Sequence, residues 1–201
     1  MSEGMIAMAR VTNNAEALAG KTASRFPYVL GAVLLVFASL APGRAWSAAF
    51  SLYNTPFSFL DDSGATVHLS DWRGKPMILT MEHSTCRFSC AISISKLKAI
   101  QAVADQKKID IDFMIISIDP RNDTPETWRQ FRKSRDEERS NWHLLTGDEA
   151  TTNRVASILG IKYWYMDEHV LHDFKILRLN AKGEIEKTIT DYDDDPEIVL
   201  Q

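Results

Sequence analysis

Cysteine is nearly absent from this 201-residue chain: there are two, Cys86 and Cys90, both inside the stretch "MEHSTCRFSC". A framework of structural disulfides is excluded by that count. The spacing is one residue too long for a CxxC dithiol, and a zinc ribbon needs two close pairs rather than one. Long apolar runs are missing as well. The longest, "FPYVLGAVLLVFASLA", falls short of the roughly 20 residues a membrane span needs and stops at Pro42. Positive charge is not in excess, with 23 Lys and Arg against 27 Asp and Glu and no basic stripe, which argues against nucleic acid as a partner. No internal repeat is present.

What is there divides the chain in two. Lys21 and Arg25 precede the apolar run, and Pro42, Gly43 and the small-residue site "AWSA" follow it. That order is the pattern of an export signal over residues 1–47, cleaved after Ser47 or retained as an uncleaved anchor. Removing it takes away Arg10, Lys21, Arg25 and Arg44 against Glu3 and Glu16, so the formal charge moves from −4 to −6. An acidic exported domain favours a basic or neutral partner face. Export also places both cysteines where a disulfide is a real resting state.

Residues 48–190 read as one α/β domain, and 191–201 as a solvated acidic tail. "FSFLDDSGATVHLSDWRGK" predicts two short strands around Asp62-Ser63-Gly64. "PMILTME" is a buried central strand. A helix is expected from about Ser84, capped by Ser84 or Thr85, with Cys90, Ile94, Leu97 and Ala104 as its apolar stripe. "IDIDFMIISID" is a second core strand. Thr124 caps a helix with Pro125 at its first position. "WHLLT" is a third strand, "DEATTNRVASILG" a helix ending at Gly160, and "FKILRL" with "EIEKTITD" a hairpin. "YWYMDEHVLH" is read as an irregular loop. Strands alternating with helices imply a central mixed sheet covered on both faces, a three-layer thioredoxin-like fold with an N-terminal hairpin extension.

On a helix starting near Ser84, Cys86 and Cys90 stand at i and i+4 and share one face. That placement lets the sulfurs approach each other or one metal ion. A helix start lowers the cost of a thiolate, and thiolates select Cu(I), or zinc in closed sites. Two thiolates alone make a poor zinc site, so a third ligand comes from elsewhere. The histidines are His68, His83, His143, His169 and His172. His172 has the best case: it precedes "FKILRL", a junction that in a thioredoxin-like sheet faces the start of the cysteine helix.

Residues 56–190 resemble the Sco/SenC family of copper-binding thioredoxin-like proteins. "STCRFSC" is similar to the family's CxxxC, "SIDPRNDTPETW" to its DPxxDTP segment, and "HDFKILRLNAKGEI" places His172 eleven residues before Gly183, as the family spaces its metal histidine. The resemblance implies copper, Cu(I) or Cu(II), bound by Cys86, Cys90 and His172, with the two cysteines as a redox-active dithiol. It also implies a metallochaperone delivering copper to an exported enzyme subunit, cytochrome c oxidase first among them, in the periplasm or on the periplasmic side of a membrane. A thioredoxin-like reductant is an implied further partner. Asp119, Pro120, Asp123, Thr124 and Pro125 shape a loop near the site. Three departures stand out: Arg87 and Ala91 replace prolines after each cysteine, and Leu171 replaces an acid before the histidine.

Three other readings compete. A static disulfide would close too short a loop to stabilise the fold much. A thiol–disulfide reductase acting on a client's copper-ligand cysteines shares the dithiol, but thioredoxin-type exchangers place a proline opposite it, and none stands between Pro125 and Pro196. A peroxidase of the peroxiredoxin type needs a proline in its cysteine motif that "STCRFSC" lacks.

Overall fold

The computed structural model describes residues 49–85, 89–167 and 169–201, with the backbone alone given for residues 89–91. The segment read as an export signal and its expected cleavage site lie outside them, as do Cys86 and Arg87.

Three parallel strands form the middle of the sheet: β3 (Met77–Glu82), β4 (Asp112–Ser117) and β5 (Trp142–Thr146). All residues of β3 and β4 are buried, which is why both read as near-continuous apolar runs. The N-terminal hairpin, β1 (Ser58–Asp61) and β2 (Thr66–His68), adds antiparallel to β5. On the far side β8 (Ile176–Leu179) pairs antiparallel with β3 and carries β9 (Ile185–Ile189). The sheet order is β2-β1-β5-β4-β3-β8-β9.

Strand alternation sends successive residues to opposite faces. Met77, Leu79 and Met81 of β3, with Met114 and Ile116 of β4, pack against Val155, Ala156 and Leu159 of α3 (Glu149–Leu159). Ile78, Phe113 and Ile115 face the other way. They meet Ile94, Leu97 and Ile100 of α1 (Ser89–Lys107) and Trp128 and Phe131 of α2 (Pro125–Ser134). The three layers expected from the sequence are therefore present. The expected caps hold as well: Thr124 accepts from the Thr127 amide, and Gly160 takes the left-handed conformation, φ 63°, after α3.

Two expectations need correction. The start of the cysteine helix is not one of them: Ser84 and Thr85 form a turn, α1 is described from Ser89, and the residues between lie outside the described ones. The stretch read as an irregular loop is a hairpin, β6 (Tyr163–Met166) with β7 (His169–His172), separate from the main sheet. Its turn holds Asp167 at φ 56°, without the Gly or Asn that marks such turns in a sequence. Lastly, the acidic tail is exposed at its start but ends in a 3-10 turn, Pro196–Leu200, whose Val199 and Leu200 are buried in the α1 cluster.

The chain enters the domain at the β8–β9 turn. The Leu52 amide donates to the Gly183 carbonyl at 2.9 Å, and the Ser51 hydroxyl donates to the Lys182 carbonyl. Gly183 has φ 80°, and a Cβ there would lie 2.5 Å from the Tyr53 ring, so only glycine fits. No helix among the described residues is long and apolar enough to cross a membrane.

Candidate metal centre

The site is built at the C-terminal end of β3. Glu82 closes that strand and is 1% exposed. His83, also buried, follows it, then the Ser84–Thr85 turn that leads into the cysteine window. Asp123 fixes this turn. Its Oδ1 accepts from the Ser84 amide at 2.9 Å and the Ser84 hydroxyl at 2.6 Å, and its Oδ2 accepts from the Ser117 hydroxyl at 2.5 Å. The Asp119 amide donates in turn to Ser117 Oγ at 2.9 Å. One carboxylate thus ties the ends of β3 and β4 to the loop before α2. Burial pushes the Asp123 carboxyl above the usual carboxylate range, against the pull of its serine donors.

The loop itself is set by its own polar residues. The Asn122 and Asp123 amides both donate to the Asp119 carbonyl, and Asn122 Nδ2 donates to Asp119 Oδ2 at 2.8 Å. Pro125 then starts α2. The loop-shaping group named from the sequence includes the residue that anchors the turn before the cysteines.

His172 arrives from the other side, at the end of β7. It is paired with Tyr163, and Tyr165 stands opposite Val170 on the same inward face. The outward face carries Trp164 and Met166, both about half exposed, opposite Leu171 and His169. Tyr165 holds the hairpin to the loop: its hydroxyl donates to Asp119 Oδ1 at 3.4 Å, and the Arg121 guanidinium lies 4.7 Å from its ring centre. Partial burial, then the nearby Asp119 charge, push the Tyr165 phenol up to about 12. Arg121 is paired with Glu149 at 3.0 Å.

The imidazole of His172 is almost wholly buried. Its Nδ1 lies 3.0 Å from the Asp173 carbonyl, and its Nε2 lies 3.3 Å from Glu82 Oε2. The His83 ring stands edge-on to it at 6.0 Å. A carbonyl only accepts, so Nδ1 carries the proton in that bond. A neutral His172 then turns the Nε2 lone pair toward a carboxylate oxygen. Two acceptors in a buried space repel unless a cation lies with them, either a proton or a metal ion. The juxtaposition therefore fits a site that takes up a cation, and an imidazole nitrogen steered by a backbone carbonyl suits copper.

The remaining histidines are elsewhere. His143 Nε2 meets Asp112 Oδ2 at 3.1 Å at the opposite end of the sheet, and His68 and His169 are exposed. Of the other two sequence-derived ligands, Cys86 lies outside the described residues and Cys90 is described by its backbone in α1 alone. Among the described residues no group of three His, Cys, Asp or Glu is placed to hold a metal ion. Glu82 escaped the sequence reading, although an acid closing an otherwise apolar strand was a signal for it. It also changes the meaning of Leu171: a carboxylate does stand beside the histidine, supplied by β3 rather than by the preceding residue.

The SCO1/SenC family model matches residues 47–201. An SCO2-like protein of Rickettsia prowazekii is 26% identical over 144 residues, covering 67% of each chain. Among solved structures, Arabidopsis thaliana ScoI with copper bound is 23% identical, with a TM-score of 0.63 over 71% of this chain and 90% of that one. BsSco, a Sco-family cytochrome c oxidase assembly protein in which a disulfide switch was identified, is 21% identical, with a TM-score of 0.63 over 74% and 88%.

Proposed function

The chain belongs to the SCO1/SenC family, and on that premise we propose that it is an exported copper chaperone whose cargo is held by Cys86, Cys90 and His172. The observation that carries this reading is the buried meeting of His172 Nε2 with Glu82 Oε2 at the end of the strand that runs into the cysteine window. Arabidopsis ScoI, a structural neighbour, was solved with copper, which supports the same cargo here. Two thiolates supply soft donors for Cu(I), and the imidazole completes a three-donor set that also accepts Cu(II).

The client is an exported copper enzyme, with cytochrome c oxidase favoured by the description of BsSco. The export signal over residues 1–47 accounts for the compartment. Loading requires the dithiol. A Cys86–Cys90 disulfide has no thiolate to offer, so two electrons and two protons from a thioredoxin-like dithiol must reduce it first, the donor leaving as its own disulfide.

The test is copper stoichiometry and visible absorption of the full chain. The reduced protein is expected to take up about one copper and the oxidised protein none. Cys86→Ala and Cys90→Ala each lose nearly all of it, and His172→Ala weakens Cu(II) more than Cu(I). Equal uptake by oxidised and reduced protein moves the metal away from the cysteines and ends this reading. The disulfide switch in BsSco favours a second reading, a reductase for a client's copper-ligand cysteines. Turnover of a client disulfide without copper would select it.

A further inference from the structure

Glu82 is a carboxyl group without an ordinary reason to be where it is. It is 1% exposed, it ends a strand whose every residue is buried, and among the described residues no Lys or Arg pairs with it. Its ionic neighbour is His172, at 3.3 Å between Oε2 and Nε2. Burying a carboxylate costs several kcal/mol unless something compensates it.

A proton shared between the two atoms is one compensation. A metal ion is another, and the spacing fits it. Nitrogen and oxygen donors bound at about 2.0–2.1 Å to a tetrahedral ion lie about 3.3–3.4 Å apart. Glu82 also stands four residues before Cys86, as Cys86 stands four before Cys90.

We infer that Glu82 is a fourth donor of the copper site, an oxygen ligand that biases the site toward divalent ions. The inference rests on the three-ligand reading above and adds to it. Two thiolates and a carboxylate carry three negative charges, so a monovalent ion leaves two uncompensated in a buried site and a divalent ion leaves one. A hard oxygen donor acts in the same direction, since it suits Cu(II) better than Cu(I).

The experiment compares Cu(I) and Co(II) on the reduced full chain, wild type against Glu82→Gln. Co(II) serves as a redox-inert divalent probe whose visible d–d bands report its ligands. Affinities come from competition with a chromophoric chelator, and circular dichroism checks the fold. The expected result is that Glu82→Gln lowers the ratio of Co(II) to Cu(I) affinity by at least about tenfold and changes the d–d bands. An unchanged ratio overturns the inference, and so does a ratio that Glu82→Gln lowers in wild type but not in a His172→Ala background, where a carboxylate that only orients His172 has nothing left to orient. Wild type that binds Cu(I) but not Co(II) overturns it too while leaving the three-ligand reading intact. Wild type that binds neither removes both. Should Glu82→Gln fail to fold, infrared difference spectra of wild type carrying 13C-labelled glutamate decide: a carboxylate band that moves on Co(II) addition supports ligation, and a still band refutes it.

Discussion

The turn after β3 and the β6–β7 hairpin meet at one place but are fastened by different means. Ser84 is gripped through its amide and its hydroxyl by a carboxylate that is itself buried. Tyr165 is fastened by a 3.4 Å hydrogen bond and by a guanidinium whose own ion pair with Glu149 is exposed on both sides. Buried bonds to a charged acceptor contribute far more than exposed ones, which water and salt screen. The turn that leads to the cysteines is thus held by short bonds to one buried carboxylate, whereas the hairpin that carries the histidine is held by Val170 and His172 packed inward, with longer polar contacts at Tyr165.

Asp123→Ala is the strongest way to break that contrast. It leaves the Ser84 amide and two serine hydroxyls without their acceptor, and it is expected to destabilise the fold by about 3–5 kcal/mol in urea unfolding. A loss no larger than that of a surface substitution would mean that the turn is held by something else.

Asp123→Asn sharpens the same point through pH. Burial raises the folded-state pKa of Asp123, so the native chain binds that proton more tightly than the unfolded chain does. This contribution is fully present below the unfolded pKa of about 3.9 and is lost as pH rises through the folded value. The asparagine variant has no such proton. The stability of wild type relative to the variant should therefore fall across that window, and a difference that stays flat with pH refutes the assignment.

On the hairpin side the effects shrink. Tyr165→Phe keeps the ring under Arg121 and removes one long hydrogen bond, at an expected cost of about 0.5 kcal/mol. A cost matching Asp123→Ala would erase the comparison. Trp164→Ser changes only the outer face and should leave stability within about 0.5 kcal/mol, readable as an almost unmoved melting temperature.

The sheet was legible in the sequence because its strands are local patterns: "MILTME" and "DFMIIS" are apolar throughout, and Thr124, Pro125 and Gly160 mark helix ends by their own backbone chemistry. The β6–β7 hairpin was not, because no glycine stands in the sequence between its strands and its aromatic strand faces solvent on one side. The role of Ser84 was misread for a tertiary reason. Ser84 has the chemistry of a cap, but its hydroxyl is taken by Asp123, a residue distant in sequence. Glu82 next to His172 is likewise a fact of pairing across the fold, and no spacing rule within a strand announces it.

Leu52, bonded to the Gly183 carbonyl, gives the domain a direction. The β8–β9 turn lies beside the start of β3, where Met77 pairs with Leu179, while Glu82 lies at the other end of that six-residue strand. At about 3.3 Å per residue, the Leu52–Gly183 contact and the Glu82–His172 pair are separated by roughly 20 Å along the strand. The first described residues and the buried imidazole therefore occupy opposite poles of the domain, so a surface tether attached beside Ser51 would leave the His172 end unobstructed.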